Sequence, residues 1–147
     1  MEPELPKIEL DELLFQALRA VYRFERVKMS RFGLSYEGIF LLQHLRRHSK
    51  SSMSEIAQEM RSPVSTVTRI VDRLEKKGFI SRMRDKKDLR ITRLFLEPVG
   101  ETVVKEIEKH TYQVLMENLK GFDNRDFDCF IKTAMNIGKL LDTTSLP

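Results

Sequence analysis

Cysteine is almost absent. The single Cys129 in 147 residues leaves no intramolecular disulfide framework and no multi-cysteine zinc site, and a reducing cytoplasm is the expected setting. Long apolar runs are missing too. The longest, Ile39-Phe40-Leu41-Leu42, falls far short of the ~20 residues that span a bilayer, so no membrane partner is expected. The opening Met1-Glu2-Pro3-Glu4 is acidic and lacks an apolar h-region, so no signal peptide is expected. Low-complexity tracts and internal repeats are lacking. There is no glycine-rich phosphate loop and no nucleophile–base–acid set, which makes an enzyme the least supported class and no cofactor expected. What remains is a length typical of one domain, with 41% hydrophobic residues, enough to build a core.

Charge is what the chain has in excess. Charged residues make up 33% of it, against an average of roughly 25%. The formal net charge is only +4, but it is unevenly placed. Between Arg61 and Arg93 there are eleven Lys/Arg against four Asp/Glu, a net of +7. The remainder holds 15 Lys/Arg against 18 Asp/Glu, a net of −3. A basic segment set in a slightly acidic remainder points to an anionic partner for that segment.

The apolar spacing organises the rest. Leu10, Leu13, Leu14, Ala17, Leu18, Val21 and Phe24 recur at three- and four-residue intervals, predicting a helix from about Ile8 to Met29 that ends before Gly33. Ser35 is placed to cap a second helix through Ile39, Leu41, Leu42 and Leu45. Ser52-Met53-Ser54-Glu55 is a capping box opening a short helix through Ile56, Ala57 and Met60. Ser62-Pro63 reads as an N-cap followed by proline at the first helical position, starting a helix that ends at Gly78. Phe79 to Arg82 and Ile91 to Leu96 read as strands, with the polar stretch Met83 to Arg90 as the hairpin tip. Pro98 opens a long helix, Gly121 interrupts it, and Asp123 or Asn124 caps a last helix carrying Phe127, Phe130, Ile131, Ala134, Ile137, Leu140 and Leu141.

The predicted fold is therefore mainly α with a small β-hairpin. Two short helices joined by a tight turn and followed by a hairpin make a winged helix-turn-helix. On the wheel of the second short helix, Val67, Ile70, Val71 and Leu74 share one apolar stripe. Ser65, Arg69 and Lys76 lie opposite, flanked by Ser62, Thr68, Asp72 and Arg73. Small hydroxyls permit close approach to phosphates or base edges, and arginine pairs bidentately with guanine. Arg82, Arg84, Lys86, Lys87 and Arg90 on the hairpin suit phosphates or a narrow minor groove. A merely solvated charged face is the alternative, and the confinement of the +7 excess to two adjacent elements argues against it.

The run Ser54-Glu55-Ile56-Ala57, then Ser65 through Arg82 (STVTRIVDRLEKKGFISR), closely resembles the MarR family of transcriptional regulators. So does Asp85-Lys86-Lys87-Asp88-Leu89-Arg90, which holds the family's Asp-x-Arg wing signature at Asp88 and Arg90. The spacing from Asp88 to Leu96 and on to Gly100 also fits, so the resemblance covers about Leu34 to Gly100. It implies a triangular homodimer in which residues 1–33 and 98–147 form a helical dimerisation region and residues 34–97 a DNA-binding domain. It further implies double-stranded DNA as partner, a pseudo-palindromic operator, and a repressor released by a small ligand, often aromatic. On that pattern Ser65, Thr66, Thr68 and Arg69 contact bases or phosphates in the major groove. Arg90 reaches the minor groove, Asp88 orients it, and Arg73, Arg82 and Arg84 hold the backbone. Two departures stand out: Leu96-Glu97 replaces the family's Leu-Thr, and Val99 its lysine before glycine. Neither touches the expected DNA face, but the cap of the following helix is put in doubt. A DNA binder without sequence preference, and a winged helix used for protein contact, are the other readings.

Other candidates weigh less. His44 and His48 are four apart and could form half a metal site. The intervening Arg46 and Arg47 would repel a cation, and no metal is expected. Cys129 lies between Phe127 and Phe130 without a cation nearby in sequence, which fits packing better than a redox switch. Arg19, Arg23 or Arg26 could line an effector pocket with Phe15, Tyr22, Phe24, Phe32, Tyr36 and Phe40. An ordinary helix-packing core with solvated arginines explains the same residues equally well.

Overall fold

Capping and apolar periodicity decide where each element starts and stops. The computed structural model describes residues 6–145. The order is α1 (Lys7–Phe32), α2 (Tyr36–Arg47), α3 (Met53–Glu59), α4 (Val64–Lys76), β1 (Ile80–Arg84), β2 (Thr92–Leu96), α5 (Pro98–Leu119) and α6 (Asn124–Leu140). The mainly helical class and the hairpin are as the sequence predicts.

α1 continues three residues beyond the expected Met29, because nothing stops it until Gly33 adopts a left-handed conformation (φ 62°) and returns its N–H to the Met29 carbonyl. Ser35 caps α2, its Oγ accepting the Gly38 N–H at 3.1 Å. The capping box is complete: Glu55 N–H donates to Ser52 Oγ at 3.1 Å and Ser52 N–H to Glu55 Oε2 at 2.6 Å. α4 starts one residue later than the sequence suggests. Pro63 itself occupies the extended cap position (φ −60°, ψ 147°), and the Ser62 hydroxyl turns back to the Met60 carbonyl instead of capping. At the other end Lys77 closes the helix and Gly78 (φ 71°) turns the chain into the hairpin.

β1 and β2 pair antiparallel, Ile80 opposite Leu96 and Arg84 opposite Thr92. Met83 and Arg84, expected at the tip, belong to the strand. Phe79, expected to start it, is instead spent on the turn, donating its N–H to the Leu74 carbonyl and accepting from Glu97 N–H. The α2–α3 turn adds a short third edge, with Leu94 N–H bonded to the Ser51 carbonyl at 2.9 Å and Ser52 bridged to Arg93.

Two compact units divide within α5 after Ile107. The first holds the core: Leu41, Leu42 and Leu45 of α2, Ile56 of α3, Val67, Val71 and Leu74 of α4, Ile80 and Leu94 of the hairpin, and Val104 and Ile107 of α5. Burying side chains of this kind stabilises by about 1.5–3 kcal/mol each, which fixes the recognition-type helix and the hairpin to one scaffold. In the second unit no described residue is buried. Asp123 caps α6, accepting the Asp126 N–H at 2.8 Å, yet every residue of α6 stays exposed, Cys129 included. The packing expected around Cys129 is thus not formed within the chain. Among the described residues no helix is long and apolar enough to cross a membrane.

Candidate nucleic-acid interface

The turn between α3 and α4 is tight because Arg61 takes a left-handed conformation (φ 50°) and Ser62 N–H reaches back to the Ala57 carbonyl at 3.0 Å. This seats α4 with Val67, Ile70, Val71 and Leu74 in the core. The opposite face then presents Ser65, Arg69 and Arg73, all exposed and four residues apart. Thr66 and Thr68 sit half-buried at the flanks. The Thr68 hydroxyl donates to the Val64 carbonyl at 2.9 Å, so its proton is committed to its own helix and it faces outward as an acceptor.

Arg82 turns back onto α4. Its Nε donates to Glu75 Oε2 at 2.9 Å, and its Nη2 reaches both Glu75 and Asp72. These bonds, Glu75 first and Asp72 next, raise the affinity of Arg82 for its proton. Its charge is balanced by α4, so it ties the strand to the helix. Arg84 Nη1 donates to the Leu89 carbonyl at 3.2 Å and braces the hairpin loop. Lys86 and Lys87 are exposed.

At the loop, Asp88 and Arg90 pair through two bonds, Nε to Oδ1 and Nη2 to Oδ2, both 3.1 Å. The Asp88 carboxylate also accepts the Arg90 N–H at 3.0 Å, and these contacts with Arg90 hold its carboxyl below the usual range. The Arg90 side chain nevertheless remains 91% exposed. Thr68 of α4 and Arg82 and Arg90 of the hairpin border one cavity of about 460 Å³, together with Ser52, Val64 and Thr92.

Asp85 is the knot of the loop. Its Oδ1 accepts the N–H groups of Lys87 and Asp88 at 2.7 and 3.1 Å, and its Oδ2 takes Arg93 Nε at 2.5 Å. Arg93, chiefly, and the two backbone donors pull the Asp85 carboxyl down to about 2. A depressed carboxyl contributes stability that is present above its unfolded value and lost as pH falls through the folded one. The loop is therefore expected to keep this support down to about pH 4 and to lose it between there and about 2. A carboxyl-carbon NMR titration of Asp85 should show a midpoint near 2, moving up toward ~3.9 in Arg93→Ala; an unmoved midpoint would contradict the assignment of Arg93 as main cause.

Arg93 belongs to the basic segment but carries no role in the sequence reading. Its signal was the hairpin register, which places Met83 opposite Arg93 and so brings Asp85 within reach. The register depends on where the turn falls, and the strands were expected shorter on one side.

His44 Nε2 lies 3.1 Å from Ser51 Oγ, whose proton goes to the His48 carbonyl. Ser51 Oγ therefore accepts from His44 Nε2–H, which fixes the tautomer. Burial, then the neighbouring His48, hold His44 below its ordinary pKa. The pair pins the α2–α3 turn, and no metal-holding group of three or more ligands exists among the described residues. His44, His48, Ser51, Glu55, Asp85 and Arg93 line part of a second cavity, about 1250 Å³. Neither cavity is lined by the aromatic and arginine residues of α1 and α2 considered for an effector. Phe24 is covered by Lys28 Nζ at 5.3 Å from its centroid, and Arg26 lies 6.0 Å from that of Tyr22.

This arrangement has close parallels. Residues 34–92 match the model of the MarR family. The transcriptional repressor MdtR of Bacillus subtilis is 34% identical over 97 residues, 65% of this chain and 63% of its own length. The chain thus spans a little under two thirds of the length of MdtR and of a second Bacillus subtilis regulator, YsmB. A MarR family protein from Bacillus stearothermophilus superposes with a TM-score of 0.79 at 22% identity, covering 91% of this chain and 94% of that one. Streptococcus pneumoniae FabT, solved in complex with DNA, gives the same TM-score and identity over 92% and 97% of the two chains. Those two likenesses establish the fold, and from α2 through the hairpin loop the chain is similar to the MarR family.

Proposed function

We propose that the protein is a homodimeric, sequence-specific DNA-binding transcriptional regulator. The observation that carries this reading is the exposed row Ser65, Arg69 and Arg73 on α4, standing beside a wing whose Arg90 is held out in solvent by Asp88. In this reading residues 34–97 bind DNA, and residues 1–33 and 98–147 build the dimer. α4 enters the major groove with Ser65, Thr66, Thr68 and Arg69 at base edges or phosphates. Arg73, Arg84, Lys86 and Lys87 meet the backbone, Arg90 enters the flanking minor groove, and Arg82 acts by holding β1 to α4. Two-fold symmetry then requires half-sites about 10–10.5 bp apart or a multiple of that. MdtR is a repressor by name, and repression released by a small, aromatic ligand is the regulatory mode we assign by analogy. Release requires that the ligand favour a dimer whose recognition helices no longer match the half-site spacing.

Selection of bound sequences from random DNA, repeated with candidate aromatic acids, tests specificity and ligand response together. A pseudo-palindrome is expected. Equal binding to all sequences would favour an architectural role, and no salt-dependent DNA binding would leave a protein-contact module. On the selected site, Arg69→Ala should cost about 1–3 kcal/mol and relax the base preference at one position. An equal loss on specific and random DNA would show that Arg69 holds only phosphate. Arg90→Ala should weaken binding most where the flanking minor groove is narrow, and unchanged affinity there would remove the wing from the reading.

A further inference from the structure

We propose that Arg93 is a positioning residue that sets how the wing is held against the rest of the DNA-binding domain, and so where Arg90 meets DNA. The inference rests on the DNA-binding reading above. Arg93 stands on β2 and joins three separate pieces of backbone. Its Nε binds Asp85 Oδ2 at 2.5 Å, its Nη1 donates to the Lys50 carbonyl of the α2–α3 turn at 3.0 Å, and the same Nη1 lies 3.8 Å from Glu55 Oε2 in the α3 capping box. Asp85 then passes the constraint outward, because its other oxygen holds the N–H groups of Lys87 and Asp88. Asp88 in turn grips Arg90 through both carboxylate oxygens. A continuous series of charge-assisted hydrogen bonds thus runs from the α2–α3 turn to the arginine assigned to the minor groove.

Such a tie matters because the wing has only two strands, and a two-stranded ribbon has little stability of its own. The Arg93 and Asp85 side chains are 30% and 16% exposed, so their attraction is less screened than that of a surface pair. Arg93, like Met83 opposite it, points to the hairpin face away from Arg82, Leu94 and Thr92. It borders the 1250 Å³ cavity, whereas Arg82, Arg90 and Thr92 border the 460 Å³ one. With its Nε held by Asp85 and its Nη1 by the Lys50 carbonyl, its effect on DNA would pass through the wing rather than through a phosphate of its own.

The test compares full-length wild type with Arg93→Ala, Arg93→Lys, Arg93→Gln and Asp85→Asn, by hydroxyl-radical footprinting on the selected operator and by amide hydrogen exchange without DNA. In Arg93→Ala, protection of the flanking minor groove should fade while the α4 footprint persists, with affinity lower by on the order of ten-fold. The slope of log affinity against log salt should lose only what Arg90 contributes. Lysine, which keeps the charge pair with Asp85, should restore most of the flank protection, and glutamine should not. Asp85→Asn keeps an oxygen for the loop N–H groups but loses the pair, so it should reproduce the flank defect and covers the case in which Arg93→Ala folds poorly. Unchanged flank protection in Arg93→Ala, or glutamine rescuing as well as lysine, would overturn the proposal. Exchange at Lys87, Asp88 and Arg90 judges it independently of DNA: faster exchange in Arg93→Ala supports it, and no change refutes it. A wild-type protein that binds no DNA would instead sink the functional reading.

Discussion

Gly100→Ala is expected to destabilise the protein by on the order of 3 kcal/mol or more, which for a chain of this size lowers the melting temperature by about 10 °C. The reason is geometric. A Cβ at position 100 would stand 2.1 Å from the Phe79 carbonyl oxygen and 2.9 Å from Leu96 Cδ1. The leucine can give way, but the carbonyl cannot do so freely. It accepts the Glu97 N–H at 2.9 Å, the bond that closes the hairpin at the start of α5. Moving it would also disturb Phe79 N–H, which is bonded to the last turn of α4 through the Leu74 carbonyl. The methyl therefore pries α5 from the α4–β1 junction, and the damage should reach α4. Gly78→Ala provides the contrast. That position has a left-handed φ of 71° but open space around it, so its cost should be only the conformational one, about 1–2 kcal/mol. Thermal melts of both variants decide the matter, and equal melting temperatures would mean that the close approach at Gly100 is relieved by a shift that costs little.

The demand for glycine at this position is only partly written in the local sequence. Its place in the motif was legible from the spacing after Asp88, but the contact that demands it was not, because Phe79 is distant in sequence and its carbonyl has no sequence signature. Local features were legible throughout the first unit. The Ser52–Glu55 box, the Ser35 cap, the Asp123 cap and the apolar stripe of α4 all depend on residues within one or two helical turns of each other. Features that depend on pairing were less so. The strand ends shifted by one or two residues because register is set where the turn closes, and Arg93 was passed over for the same reason. Arg82 is read from the sequence only as a contact to the DNA backbone, since a wheel and a strand viewed separately cannot show Asp72 and Glu75 converging on it. The segregation of charge was visible at once, whereas the division of those cations into outward ones and internal ties required the fold.

A single charge on the apolar face of α1 or α6 should have the largest effect on assembly. α6 has seventeen residues and buries none of them within the chain, yet Phe130 is 47%, Ile137 42% and Leu140 67% exposed. On α1, Leu13, Leu18, Val21 and Tyr22 are all more than half exposed. Helices of this length owe most of their stability to a packed apolar face, and contiguous exposed patches of this kind mark an interface. A second copy is the partner that the dimer reading requires. On the dimer reading, Leu18→Asp or Phe130→Asp would each force a carboxylate into the helix face that a second copy covers, where an unpaired charge costs several kcal/mol. At about 1.4 kcal/mol per ten-fold, dimer affinity should fall by a hundred-fold or more. In sedimentation the wild type should run at twice the 17.3 kDa of one chain, and the variants at one. DNA binding then follows by arithmetic. Losing the second half-site removes the intramolecular advantage of two linked modules, about 10²–10⁴ in affinity. It should also halve the salt slope, since half the phosphates are met. The surface row on α4 and the wing would be intact, so each monomer should still bind a half-site weakly. A variant that stays dimeric would refute this interface, and one that turns monomeric yet keeps the full salt slope would show that each chain reads its site alone.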